Sequence, residues 1–178
     1  MDPVQRIVYV GTDTAGLFRL RDVGSSVVLS GHLLIDEPVR EVVADQRGQG
    51  LAFARTDWNL YRGENYGLAW VTVDNLHSTP TALAIADTDP ATVLVGTTDR
   101  GLLTSSDGIE WTLANEGLGL VPGSRLKVNA IAVDATQPEV AYVATSYIHG
   151  TTEAHEAPVG VAMSTDGAQA WSPVAGSE

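Results

Sequence analysis

The chain has 178 residues with 44% hydrophobic content, enough for a real core in one domain and not the composition of a disordered tail. Ten basic residues against twenty-two acidic give a net charge of −12, and nine of the ten bases are arginines scattered along the chain, Lys127 being the one lysine. A nucleic-acid backbone or an anionic membrane surface is therefore excluded as the main partner, and the absence of cysteine excludes a disulfide framework or a Cys-ligated metal site.

The start, Met1-Asp2-Pro3-Val4, has neither the basic opening nor the apolar run of a signal peptide. No apolar stretch is long enough to span a bilayer as a helix. A cytoplasmic chain is expected, unless a leader was removed or the sequence was cut from a longer secreted protein.

Four segments share one apolar signature: Ile7 to Thr12, Leu51 to Thr56, Val93 to Thr97 and Val140 to Thr145. Their closing threonines are 44, 41 and 48 positions apart. A second signature precedes three of them, at Glu41 to Asp45, Leu83 to Asp87 and Ala130 to Asp134. Small and β-branched, these three predict inner strands buried on both faces. A period in the low forties with several short strands per unit predicts all-β propeller blades of about four antiparallel strands each. The blades span about 4–35, 39–76, 80–120 and 126–174. Only six residues precede Ile7, so the first blade begins at its second strand and has three strands where the others have four.

The third strand of each unit runs into a turn. Ser164-Thr165-Asp166-Gly167-Ala168-Gln169-Ala170-Trp171 joins side chains that bond the local backbone, a glycine that tolerates positive φ and a tryptophan that packs the turn onto the sheet. Ser105-Ser106-Asp107-Gly108-Ile109-Glu110-Trp111 repeats it one residue shorter. A worn copy runs from Gly63 through Asn65 and Gly67 to Trp70, and a faint one is Leu20-Arg21-Asp22-Val23-Gly24. The pattern resembles the Asp-box (BNR) repeat of sialidase-like β-propellers, with Asp166, Asp107, Asn65 and Asp22 at the aspartate position. The resemblance implies structural turns at the blade periphery, remote from catalysis, and propellers of six or more blades. A chain writing four blades would then close a small ring, be completed by another chain, or belong to a longer one.

A sialidase site would need three convergent arginines, a tyrosine nucleophile with a glutamate partner, and an acid aspartate; no sequence context groups any three of the nine arginines. Asp45, Asp87 and Asp134 recur at one place in successive units, where they could line a rim or simply start turns. The fourth unit carries an insertion, Ser146 to Pro158, read as a loop and as the best place for chain-specific recognition. Its His149, Glu153, His155 and Glu156 match no tight metal motif, so neither a metal nor a cofactor is expected. Trp58, at the tip Thr56-Asp57-Trp58-Asn59, and Tyr147 are candidate contacts for a sugar or a partner; His32 and His77 suggest nothing.

Two functional classes follow. One is a non-catalytic interaction or assembly module that binds a protein, or another copy, through blade edges or rim loops. The other is a carbohydrate-active or sugar-binding propeller with blades elsewhere.

Overall fold

A computed structural model describes residues 6–33, 36–48, 50–119, 121–150 and 155–177. Among these there is no helix, hence none long and apolar enough to cross a membrane. Fifteen strands form four sheets, one of three strands and three of four. Within each sheet the strands follow chain order and pair antiparallel. The chain divides into two compact units, Met1–Asn75 and Leu76–Glu178.

The first unit holds two sheets. β1 (Ile7–Gly11), β2 (Leu17–Asp22) and β3 (Val27–Leu33) form the three-stranded one; β4 (Glu41–Ala44), β5 (Ala52–Arg55), β6 (Leu60–Glu64) and β7 (Ala69–Thr72) form the next. The expected missing inner strand is thus the difference between these two sheets. Leu17, Val39 and Ala54 make a buried cluster, flanked by Tyr9, Val42 and Trp70. The rings of Tyr9 and Trp70 meet edge to face with centroids 5.7 Å apart, so the tryptophan of the worn turn packs one sheet on its neighbour.

The second unit repeats the arrangement. β8 (Pro80–Ala86), β9 (Thr92–Thr97), β10 (Leu102–Ser105) and β11 (Thr112–Leu113) form one sheet. β12 (Arg125–Val133), β13 (Ala141–His149), β14 (His155–Ser164) and β15 (Ser172–Pro173) form the other. Leu94, Leu102, Leu118, Leu126, Val128 and Trp171 are among the buried residues of their common core. Thr81 reaches from β8 to donate its hydroxyl to the Val128 carbonyl of β12 at 2.5 Å.

Two expectations need correction. Burial on both faces is pronounced only for β8, whereas β4 is half-buried throughout and Ala130 and Ala132 of β12 are exposed. The insertion is also not a loop over most of its length. Ser146 to His149 continue β13 and pair with His155 to Pro158 of β14, while β12 lengthens beside them. Tyr147 and Ile148 favour the pleated surface. Pro158, which cannot donate to a ladder, sits beside the register shift opposite Thr145 and Ser146. Glu153 lies outside the described residues.

Candidate functional site

The two full turns share one hydrogen-bond design. Ser105 Oγ donates to Asp107 Oδ1 at 3.0 Å and accepts from the Gly108 N–H at 2.8 Å; Asp107 Oδ1 also accepts from the N–H groups of Ile109 (2.8 Å) and Glu110 (3.1 Å). Ser164 Oγ donates to Asp166 Oδ1 at 2.7 Å and accepts from the Ala168 N–H at 3.0 Å; Asp166 Oδ1 accepts from Gln169 and Ala170. The longer turn places both Gly167 (φ 76°) and Ala168 (φ 70°) in the left-handed region, where the shorter one needs only Gly108 (φ 73°). Both aspartates are held below the ordinary carboxylate range. For Asp107 the largest cause is the backbone bonds from Ile109 and Glu110; for Asp166 it is the Ser164 hydroxyl, followed by the Ala170 N–H. In each turn Oδ1 of the aspartate is thereby taken up by the turn itself.

Trp171 is buried and donates its indole N–H to the Ala114 carbonyl at 2.9 Å, tying the turn to the preceding sheet. Trp111 is only half-buried. In the worn copy Asn65, Tyr66 and Gly67 are all left-handed, and the Tyr66 carbonyl accepts from the Tyr9 hydroxyl (2.8 Å) and from Arg19 Nε (2.7 Å). At the faint copy, Asp22 accepts from the Gly24 N–H at 2.7 Å and pairs with Arg6 at 2.8 Å.

The recurring aspartates behave as turn residues where their bonds are seen. Asp45, itself buried, accepts from the Leu51 N–H at 2.9 Å, and Asp134 accepts from the backbone and hydroxyl of Thr136, each at 2.7 Å.

Trp58 is 70% exposed at the β5–β6 tip. Arg40 grips Asp57 beside it through two 2.8 Å bonds, and Thr56 Oγ1 accepts from the Trp58 and Asn59 N–H groups, so a fixed turn presents the indole. On the β13–β14 extension His149 stands directly opposite His155, with the Tyr147 ring 6.1 Å from that of His149. Alternation puts Glu156 on the other face. There it accepts from Lys127 Nζ (2.8 and 3.1 Å) and from Ser146 Oγ (2.6 Å), bonds that hold it below the usual range, Lys127 contributing most. Of the residues read together from the sequence, Glu156 therefore lies on the face opposite His149 and His155. Among the described residues no group of three or more His, Asp or Glu is placed to hold a metal ion.

Sequence reasoning passed over Arg19 and Arg21. On β2 they stand two and four positions after Leu17, so alternation puts both guanidiniums on the face of that core residue.

No protein-family model matches the sequence, and neither does any curated protein. Solved structures do. A GH74 xyloglucanase from Xanthomonas campestris is similar over 99% of this chain at 20% identity and a TM-score of 0.64. This chain covers 29% of that one. A chain of a nidogen–laminin complex is similar over 92% of this chain and 73% of its own length, at 11% identity and a TM-score of 0.55. Both are β-propellers, and the four antiparallel sheets described above share that fold.

Proposed function

We propose that this chain is a non-catalytic β-propeller interaction module of the Asp-box type, which binds another polypeptide, a second copy included, along an open blade edge. The observation that carries this reading is β3. Outer strands expose unpaired backbone groups, and proteins restrain them by keeping them short. β11 and β15 have two residues each and β7 has four, but β3 has seven. Its Val27, Val28 and Leu29 are 54%, 42% and 61% exposed, a contiguous apolar run on the longest outer strand. The serine–aspartate turns support the Asp-box assignment, because their bonds account for both side chains without calling on a ligand.

Light scattering across a concentration series tests the reading. A mass above that of the monomer, lowered by Leu29→Lys, is expected. A monomer at every concentration, unaffected by Leu29→Lys and showing specific binding or hydrolysis on a glycan panel, would overturn it.

A second reading, carbohydrate binding, is favoured by Trp58, whose exposed indole is held at a rigid tip and offers a stacking face. Loss of glycan binding in Trp58→Ser would identify it.

A further inference from the structure

Arg19 is 9% exposed and has no carboxylate within ion-pairing distance among the described residues, in a chain with twenty-two acidic side chains. A buried charge is costly unless it is paired. Its recorded partners are neutral: Nε donates to the Tyr66 carbonyl and Nη1 to Ser30 Oγ, both at 2.7 Å. Those two bonds leave Nη2 without a recorded bond.

The surroundings are built around that side chain. Ser30 is the extra residue of a bulge in β3, where Arg19 pairs with Gly31 and Leu20 with Leu29. A bulge re-aims a side chain, and here the serine hydroxyl donates back to the Arg19 carbonyl at 3.1 Å while accepting from the guanidinium. Arg19 lines a cavity of about 390 Å³ within the first unit, together with Arg21, Ser30, Asn65, Tyr66 and Leu68. Arg21, two positions on along β2, is exposed and enters no ion pair or hydrogen bond recorded among the described residues.

We infer that this cavity is a carboxylate-binding site. One guanidinium is fixed by the backbone and a serine, and the second is exposed at the cavity. The guanidinium of Arg21 offers a planar fork that matches the two oxygens of a carboxylate, and Arg19 adds the N–H groups of Nη2. Leu68, 64% exposed at the margin, suits the hydrocarbon stem that such a group carries and has nothing to offer an inorganic oxyanion. The negative charge of the whole chain does not oppose this, since at physiological salt it is screened beyond about 8 Å and the adjacent guanidiniums dominate. The carboxylate can belong to a free organic acid or to an acidic side chain of a polypeptide. The cavity needs no strand added at β3, so the edge and the pocket can fail independently.

NMR titration of the intact chain tests the assignment, with glutarate, the blocked peptide acetyl-Gly-Glu-Gly-amide and inorganic phosphate as probes. Saturable shifts at the Arg19 and Arg21 side chains and the Tyr66 and Leu68 amides are expected, with a dissociation constant of about 1 mM for the better carboxylate. Arg21→Gln, an exposed change that leaves the melting temperature in place, should weaken binding about tenfold. Tighter binding of the peptide assigns the site to a polypeptide side chain, and tighter binding of glutarate to a free acid. No saturable shift, binding unchanged in Arg21→Gln, or phosphate binding as tightly as either carboxylate would overturn the inference.

Discussion

The indole N–H of Trp171 donates to the carbonyl of Ala114, 57 positions earlier, and the Trp171 backbone N–H donates to Glu116, so one residue of the last turn is stitched twice to the segment after β11. The indole bond lies in the core shared by the two sheets of the second unit, where a lost partner leaves the Ala114 carbonyl without solvent. Trp171→Phe keeps most of the buried ring and should lower unfolding free energy by about 1–2 kcal/mol for the indole bond. Trp171→Ala also empties the site and should cost about 3–5 kcal/mol. Denaturant melts of the two variants check the difference.

Gly117 sits against the same tryptophan. A Cβ there would fall 2.0 Å from the Trp171 carbonyl oxygen, at a φ of +83°. Gly119, two residues on, has a φ of +65° but its Cβ would come no nearer than 3.4 Å to the Tyr147 hydroxyl. Gly119→Ala should therefore cost about 1–2 kcal/mol of backbone strain, whereas Gly117→Ala adds a backbone collision and should cost about 3 kcal/mol or more. Similar melting temperatures for the two would refute the packing described around Trp171.

Asp107 and Asp166 set an acid limit. Their carboxyls titrate below the ordinary range in the folded chain because the turns donate to the charged form. The stability they contribute is complete above their unfolded value, about pH 4, and is lost as pH falls through the lower folded value. Asp107→Asn with Asp166→Asn should flatten the fall in melting temperature between about pH 5 and pH 2, while lowering it at neutral pH. Melting curves at a series of pH values measure both effects.

The β13–β14 extension makes a dynamic prediction. The pairs formed by Ser146 to His149 with His155 to Pro158 belong to the same sheet as Ala141 to Thr145 with Gly160 to Ser164. Hydrogen exchange should find slow amides at Tyr147 and Ala157, where a loop would exchange within the dead time. Uniformly fast exchange across Ser146 to Pro158 would contradict the extended hairpin.

The blades were readable because each repeat announces itself through local chemistry: a strand ending in threonine, an aspartate that starts a turn, a tryptophan that closes one. The strand count of each sheet follows from that spacing alone. The extension was not readable in the same way. Thr145 to Ile148 have strand-forming side chains, but the returning Glu156-Ala157-Pro158 has no alternation and a proline, so only pairing with β13 makes it a strand. The Arg19 pocket depends on contacts across 11 and 47 positions, to Ser30 and Tyr66, and on a bulge that no composition reveals. Taken from the sequence alone, two arginines alternating along a strand read as a solvated face.

The two serine–aspartate turns differ by one residue, yet the strands they join do not feel it: Thr104 pairs with Thr112 across eight positions, and Met163 with Ser172 across nine. The surplus is taken up by a second left-handed residue, Ala168, between fixed anchors. Such a turn works as an expansion joint. Repeats joined this way can gain or lose a residue one at a time, without dragging a neighbouring strand out of register, which leaves loop length free to drift while the sheets stay constant.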